Sequence, residues 1–294
     1  MNTSPDPLQR GIKTYSNFHS HCTFCDGRNN PEDFIKFAVA RNFRAYGFSS
    51  HSPLPFETFW NMSACDMDEY LNEITRIKEK YEDLIEIYLG MEIDYLDETY
   101  NASIPYFRAL PLDYRIGSIH FIPWQRPLSE ANTVCIDGSF AAFKQSVEEH
   151  FQGDVWLLTE AFFRQSMQMV ETGGIDIIGH LDKIYMNSSR YPEFDIHLSR
   201  YQQLLEEYIV LIAEKGLIVE INTKNYTRKH QTFPHIEAMQ ILYKHRIPVM
   251  VNSDCHSPDL VNDGREQTLA LLKETGFRTT RELVNGVWQD ITID

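Results

Sequence analysis

The chain has 294 residues, of which 43% are hydrophobic and 13% aromatic, and its formal net charge at pH 7 is −15. This length and apolar content allow a substantial core, which excludes a disordered protein. The negative charge argues against nucleic acid or an anionic membrane as a partner. It is compatible with an anionic small substrate, because bound cations can reverse the local field of an acidic pocket.

The expected compartment is the cytoplasm. Residues 1–7 are polar and lack the apolar core of a signal peptide, and no apolar run has the length of a membrane span. The five cysteines are an odd number without the spacing of a disulfide framework. We therefore predict a cytoplasmic protein with no membrane partner.

The first predicted strand covers residues 14–18 and is followed by His19 and His21. Because alternate side chains of a strand face the same way, the two imidazoles should project together, with Ser20 turned away. Neutral imidazole is a ligand for zinc, iron and similar divalent ions. Taken alone, the pair is also compatible with two ordinary histidines, so its interpretation depends on the rest of the chain.

Cys22 and Cys25 form a Cys-x-x-Cys pair directly after these histidines. Such a pair can be a redox motif or half of a zinc site. The sequence has no second pair to complete a structural zinc site, and the following Asp26-Gly27 predicts a turn where a redox motif would open a helix. We interpret the cysteines as small packing residues, with a redox or ligand role as the alternative.

Strands and helices alternate along the chain. The strands are predicted at residues 14–18, 45–50, 84–90, 116–119, 175–179, 217–222 and 247–253. The helices are predicted at residues 31–39, 67–80, 140–150, 155–172, 197–215, 234–245 and 265–275. Residues 125–138 are predicted to form an inserted loop near the site, and the segment after residue 275 is left unassigned.

This alternation predicts a parallel sheet with right-handed crossovers. Seven units in one run, with no shift of composition between them, favour a closed or nearly closed α/β barrel over a doubly wound sheet. The prediction is a single domain that spans residues 1–294.

Histidines or acids stand at the carboxyl ends of six of the seven predicted strands, which is where α/β barrels assemble their sites from separate loops. The candidates are His19, His21, Asp26, His51, Glu92, His120, His180, Asp254 and His256. Nine ligands exceed the three or four that one zinc needs, so they suit two or three metals that share a bridging carboxylate, for which Glu92 is the natural candidate. The remaining histidines are predicted on solvated faces or in local hydrogen bonds: His150, His197, His230, His235 and His245.

Together these motifs resemble the PHP (polymerase and histidinol phosphatase) superfamily of metal-dependent phosphoesterases, and within it the histidinol-phosphatase branch. The resemblance rests on Asn17-Phe18-His19-Ser20-His21, Gly90-Met91-Glu92, Gly117-Ser118-Ile119-His120, Ile178-Gly179-His180 and Asn252-Ser253-Asp254-Cys255-His256. It implies a distorted seven-stranded (β/α) TIM-like barrel with a trinuclear metal centre at the C-terminal ends of the strands. The three divalent ions would be zinc, iron or manganese.

The resemblance also implies how the ligands are shared among the metals. His19, His21, Glu92 and Asp254 would hold one metal, His120 and His180 a second that Glu92 bridges, and Asp26, His51 and His256 the third. Some relatives carry histidine at the position of Asp26. Glu92 and Asp254 are the candidate catalytic residues.

The predicted chemistry follows from the metals. A hydroxide that bridges two cations is nucleophilic at neutral pH, because metals lower the pKa of bound water, and it would attack phosphorus in line. The resemblance implies L-histidinol phosphate as the substrate, hydrolysed to L-histidinol and phosphate in histidine biosynthesis. The alternatives are a phosphoesterase acting on nucleotides or another small phosphate ester, and a non-catalytic barrel with structural metals.

Three basic side chains are candidates to bind the phosphate group. Arg228 follows the sixth strand, where the family has an arginine, and guanidinium matches phosphate oxygens bidentately. This chain has one residue more between Thr223 and that arginine than the family pattern. Lys183 and Arg190 follow His180, and a solvated surface charge is the alternative for all three.

Overall fold

Seven parallel strands curl into a nearly closed barrel in the computed structural model, which describes residues 15–293. The strands are β1 (Ser16–Asn17), β2 (Ala45–Phe48), β3 (Glu86–Asp94), β4 (Tyr114–Ser118), β5 (Phe121–Pro123), β6 (Thr133–Cys135), β7 (Ile177–Ile178), β8 (Ile218–Asn222), β9 (Val249–Asn252), β10 (Thr279–Val284) and β11 (Val287–Thr292). The barrel sheet has the order β1-β2-β3-β4-β7-β8-β9, and every pairing in it is parallel. The predicted seven-stranded α/β barrel is confirmed.

Helices connect the strands and cover the outside of the barrel. They are α1 (Pro31–Ala40), α2 (Met67–Lys80), α3 (Pro105–Arg108), α4 (Phe140–His150), α5 (Val155–Thr172), α6 (Tyr185–Ser188), α7 (Ser199–Lys215), α8 (Tyr226–Lys229), α9 (Ala238–Lys244) and α10 (Arg265–Thr275). Within the described part of the chain, no helix combines the length and the apolar character that a membrane span requires.

Four helices have the bounds that the sequence predicts, as α2 illustrates. Its buried residues Met67, Tyr70, Ile74 and Ile77 recur at helical spacing, so one face of the helix packs on the sheet and the other faces water. Helices α4, α5 and α10 also match their predicted bounds, whereas α7 and α9 begin later than predicted.

Residues 125–138 were predicted as a loop, and this prediction is wrong for part of the segment. Strand β6 lies inside it and pairs antiparallel with β5, so that Phe121 is opposite Cys135. Three residues per strand are too few for a periodic signal in the sequence. The polar residues 1–7 and Thr14 of the first predicted strand lie outside the described residues.

Side chains of Asn17 and Asn252 help to close the barrel between its edge strands β1 and β9. Asn252 Oδ1 accepts a hydrogen bond from the Phe18 amide at 2.8 Å, and Asn17 Oδ1 accepts one from the Ser253 amide at 2.7 Å. Beyond the strand ends, the His21 amide donates to the Cys255 carbonyl at 2.9 Å. The first and last strands therefore meet although no continuous ladder joins them.

The amino-terminal half of the barrel interior is apolar. Its buried residues are Phe18, Ala45, Tyr88, Tyr114, Ile116, Ile177, Ile218 and Met250. Tyr114 fills the space beside Gly47 and Gly90, where an added Cβ atom would lie 2.3 Å from its hydroxyl oxygen at Gly47 and 2.2 Å from its Cζ at Gly90. Its hydroxyl donates to the Phe18 carbonyl at 2.6 Å. This apolar layer lies directly below the polar side chains at the carboxyl end of the barrel.

The segment after residue 275 forms the hairpin β10–β11, which covers the amino-terminal end of the barrel. Leu283 and Trp288 pack against the apolar interior residues. Glu282 is buried and accepts from Arg44 Nη2 at 2.6 Å, and Arg265 Nη2 lies 3.4 Å from it. The hairpin thus closes the end of the barrel opposite the polar side chains.

Candidate metal centre

Alternate side chains of each barrel strand point into the barrel. Along each strand these inward positions begin with the apolar layer and end with polar side chains at the carboxyl end. On β3, Tyr88 belongs to the apolar layer and Glu92 lies four residues further on, on the same inward side. At a rise of about 3.3 Å per residue, this places the carboxylate about 13 Å along the strand. On β4, Tyr114 and then His120, just beyond the strand, repeat the arrangement.

All nine predicted ligands come together at this end. Ligand atoms lie within 4.8 Å of one another in three sets: His21, Asp26, His51 and His256; His19, His21 and Asp254; and His51, Glu92 and His120. His180 joins them through its Nε2, which lies 2.9 Å from Glu92 Oε1. These sets overlap with the implied grouping, but His21 and His51 each belong to two of them.

Glu92 lies between two groups of imidazoles. Its Oε2 is 3.1 Å from His19 Nε2 and 3.0 Å from His51 Nδ1. Its Oε1 is 2.9 Å from His180 Nε2 and 3.6 Å from His120 Nε2. A carboxylate whose two oxygens face different donor groups has the geometry needed to lie between two cations.

Buried atoms without hydrogen-bond partners point to bound cations. Within residues 15–293, these atoms include His19 Nε2, His21 Nε2, Asp26 Oδ1, His51 Nδ1 and Glu92 Oε2. A buried polar atom left unsatisfied costs about 1–3 kcal/mol, and cations bound in the cluster would satisfy these five atoms. Ligand atoms around tetrahedral zinc are about 3.3 Å apart, close to the nitrogen–oxygen distances found here. The donor set therefore fits divalent cations.

The second ring nitrogen of several histidines is held by an acceptor. His19 Nδ1 donates to Glu220 Oε1 at 2.6 Å, and His120 Nδ1 lies 3.1 Å from Asp94 Oδ1. His256 Nδ1 lies 3.0 Å from the backbone carbonyl of Asp254. A proton held on Nδ1 leaves the Nε2 lone pair directed into the cluster, which is how acceptors behind a histidine orient it toward a metal.

Sequence reasoning missed Glu220, which lies behind the cluster. Besides His19, it accepts hydrogen bonds from the His180 amide and from Asn252 Nδ2, each at 3.0 Å. Its signal was available, because it is an acid on the inward side of a buried apolar strand, where charges are rare unless paired. Asp94, Asp137 and Lys224 were missed as well.

The surroundings of Glu92 and Asp254 favour the ionised form of these carboxylates. Burial alone would raise the pKa of Glu92, but His19, His51 and His120 outweigh it and hold the pKa well below the usual range. Burial likewise opposes ionisation of Asp254, and Lys224 together with His19 keeps its pKa low. Ionised carboxylates are the form that binds cations.

Two of the candidate ligands have left-handed backbone conformations. The φ angle is +47° at Asp254 and +25° at His180. Residues with a Cβ rarely adopt such angles, and when they do the surrounding structure must hold them there. The His180 amide is held by Glu220, and this conformation accompanies the inward direction of the imidazole.

The three predicted phosphate-binding residues lie in different environments. Arg228 is exposed on α8, and the Arg190 guanidinium lies 3.8 Å from the centroid of the Phe140 ring. Lys183 is buried, with its Nζ 3.7 Å from Asp137 Oδ2. Their roles in substrate binding stay predictions.

Two other sequence interpretations have clear outcomes. Cys22 and Cys25 are free thiols, and burial raises the pKa of the Cys22 thiol to about 11, which suits packing and disfavours a reactive thiolate.

His235 was expected on a solvated face or in a local hydrogen bond. This prediction is wrong, because His235 is buried and hydrogen-bonded to Asp182, 53 positions earlier in the chain. The sequence does not show such a distant partner.

Comparison with known proteins connects this geometry to one family. The family model described as PHP domain matches residues 17–224. A Bacillus subtilis protein named histidinol-phosphatase is 23% identical over 257 residues, which are 81% of this chain and 92% of that protein.

Two solved structures share the fold. A Listeria monocytogenes structure matches with a TM-score of 0.75 at 19% identity, over 86% of this chain and 99% of that chain. A Lactococcus lactis histidinol phosphate phosphatase, complexed with zinc, L-histidinol and phosphate, matches with a TM-score of 0.70 at 19% identity, over 94% of this chain and 99% of that chain.

Proposed function

The chain belongs to the PHP domain family, and from this premise we propose that it hydrolyses L-histidinol phosphate to L-histidinol and phosphate in a metal-dependent reaction. The observation that carries the proposal is the cluster around Glu92, in which five buried ligand atoms of the described residues have no hydrogen-bond partner. The substrate is supported by the names of the relatives and by the ligands of the Lactococcus lactis structure. The proposed setting is histidine biosynthesis in the cytoplasm, with residues 1–294 acting as one domain.

We assign the nine clustered residues as ligands of three divalent ions. Glu92 would bridge two of them, because its two oxygens face different imidazoles. Zinc, iron and manganese all accept a mixture of imidazole and carboxylate ligands. Such ions, when bound, lower the pKa of water and neutralise the charge of phosphate oxygens.

The protein's own contribution is to position these ligands and to exclude water. Glu220 and Asp94 hold the Nδ1 protons of two histidines, so that each Nε2 lone pair faces the site. Trp60 forms part of the wall, since its ring centroid lies 4.4 Å from that of His51 and 5.3 Å from that of His120. A wall of this kind lowers the local dielectric, which strengthens the attraction between the site and an anionic substrate.

The test is phosphate release from L-histidinol phosphate, p-nitrophenyl phosphate and a panel of nucleotides, with metal content measured on the same sample. We expect release to favour L-histidinol phosphate by at least tenfold in kcat/KM. Release from nucleotides alone would support phosphoesterase activity but contradict L-histidinol phosphate as the substrate. A fully metallated protein that releases phosphate from none of these compounds would support the non-catalytic barrel instead.

A further inference from the structure

Lys224 stands at the rim of the candidate metal centre, directly after the barrel strand β8. Its backbone amide donates to Asn222 Oδ1 at 3.0 Å, and the amide of the preceding Thr223 donates to the Asn252 carbonyl at 2.9 Å. These bonds tie the start of the loop to strands β8 and β9. The position of Lys224 is therefore set by the barrel rather than by a free loop.

The side chain of Lys224 reaches the candidate metal ligands and also remains open to solvent. Its Nζ donates to Asp254 Oδ1 at 3.1 Å and lies 3.4 Å from His256 Nε2. About a third of the side chain, 34%, is exposed, whereas the Asp254 side chain is 3% exposed. The ammonium group thus lies between the buried cluster and the open side of the site.

The ammonium group of Lys224 is paired with a carboxylate of the cluster. Its Nζ donates to Asp254 Oδ1 at 3.1 Å, and a lysine side chain is positively charged at neutral pH. Lysine has three N–H donors and no acceptor. Divalent ions held by Asp254 and by His256 would take up the lone pairs of these two ligands and repel the ammonium group. Its donors would then need another acceptor on the open side.

The other basic candidates are placed differently. Lys183 has Asp137 as its partner, Arg190 lies against the Phe140 ring, and Arg228 is exposed on α8. Of these three side chains and Lys224, which all lie in the described part of the chain, Lys224 alone forms a hydrogen bond with a predicted metal ligand.

We propose that Lys224 binds the phosphate group of substrate and product at the metal centre, the role that the sequence suggested for Arg228. The proposal rests on the proposed phosphatase function and adds to it the residue that recognises the anion. A phosphate oxygen on the open side of the cluster would accept a charge-assisted hydrogen bond from Nζ, a stronger interaction than a neutral hydrogen bond.

The experiment measures the dissociation constant of inorganic phosphate by calorimetry on the metal-loaded full chain, with metal content determined on the same samples. Lys224→Met should weaken phosphate binding about 10- to 100-fold, because a charge-assisted hydrogen bond is lost. Lys224→Arg should restore most of the affinity. Lys229→Met removes the same charge from an exposed position in the same segment and is the matched control, with an expected change below twofold.

Three results would overturn the assignment. The first is phosphate binding by Lys224→Met equal to that of the wild type, and the second is a loss of phosphate binding that merely follows a loss of metal. The third is a large loss in Arg228→Met while Lys224→Met is unaffected. If the wild type still releases phosphate from L-histidinol phosphate, any of these three results contradicts only the role of Lys224 and leaves the proposed function standing. A metal-loaded wild type that neither binds nor releases phosphate rejects the proposed function as well.

Discussion

Glu92 is the carboxylate on which the proposed chemistry depends most. In Glu92→Gln one oxygen becomes an NH2 group, so the side chain can no longer face two groups of imidazoles as an acceptor on both sides. We expect turnover to fall by at least about 100-fold, while the protein stays folded. Steady-state kinetics measure turnover, circular dichroism shows whether the variant is folded, and metal analysis of the same preparation gives its metal content.

Glu98→Gln is the matched control for Glu92→Gln, because Glu98 is an acid on the same side of the barrel whose side chain is 79% exposed. It should leave turnover within twofold of the wild type. Normal turnover in Glu92→Gln would contradict the proposed role of Glu92. A large loss of thermal stability with turnover per folded molecule intact would point to structural metals.

Glu220 should act through the histidines that it holds. Glu220→Gln weakens the acceptor for His19 Nδ1 and for the His180 amide. Changes behind a metal ligand typically cost 10- to 100-fold in metal affinity, and we expect a loss of about that size. Competition with a chromophoric chelator measures the affinity, and the exposed Glu214→Gln on α7 is the control. An unchanged metal affinity would show that Glu220 only stabilises the fold.

At the scale of elements, Glu32 joins α1 to α2 by accepting hydrogen bonds from Lys80 Nζ at 2.6 Å and from Arg76 Nη2 at 3.0 Å. The hydrogen bond from Lys80, then that from Arg76, lowers the pKa of Glu32 to about 2. Because the folded-state pKa lies below the usual glutamate value of 4.5, this stabilisation is present above pH 4.5 and disappears as the pH falls toward 2.

We therefore expect Glu32→Gln to lower the melting temperature by roughly 1–2 °C at pH 7, the size of a small surface network in a domain of this length. The difference between the variant and the wild type should shrink between pH 4.5 and 2, and melts at several pH values measure it. Metal loss at low pH affects both proteins and cancels in the comparison. A difference that stays constant down to pH 2 would show that the carboxylate charge plays no part.

Helices and strands with a strong apolar periodicity are predicted correctly from the sequence. Elements that are short, or whose ends are bound by residues distant in the chain, are not. Helix α2 was predicted from apolar residues three and four apart, and its bounds agree with the structure. The short hairpin β5–β6 has no comparable pattern. Helix α9 begins later than predicted, and the His235 amide before it donates to Asp182, a contact that no local pattern reveals.

The same distinction holds within the candidate site. Strand alternation was sufficient to predict that His19 and His21 would lie together, and the structure places them side by side. Lys224 and Glu220 gain their positions only when separate strands are assembled. The sequence therefore identified the residues that follow strand ends more readily than those that hold or surround them.

At the scale of the whole molecule, the β10–β11 hairpin should support stability without affecting catalysis. Glu282 is buried between Arg44 and Arg265, and Glu282→Gln removes the carboxylate that both guanidinium groups face. Removing one partner of a buried ion pair typically costs about 3–5 kcal/mol, and we expect the free energy of unfolding to fall by about 3 kcal/mol.

Denaturant unfolding measures this change, and turnover per folded molecule should be unaltered because the hairpin lies at the opposite end of the barrel. The surface pair Arg281–Asp290 on the same hairpin offers the control Asp290→Asn, which should cost less than about 1 kcal/mol. A loss of turnover in folded Glu282→Gln would show that the two ends of the barrel are coupled.

The measurement that tests the central claim most directly is phosphate release from L-histidinol phosphate during removal and return of metal. We expect the chelated protein to lose release, and stepwise addition of zinc, manganese or iron to restore it in proportion to the metal bound. Full release from protein shown by elemental analysis to be free of metal would contradict the claim that the cluster around Glu92 is a metal-dependent phosphatase centre.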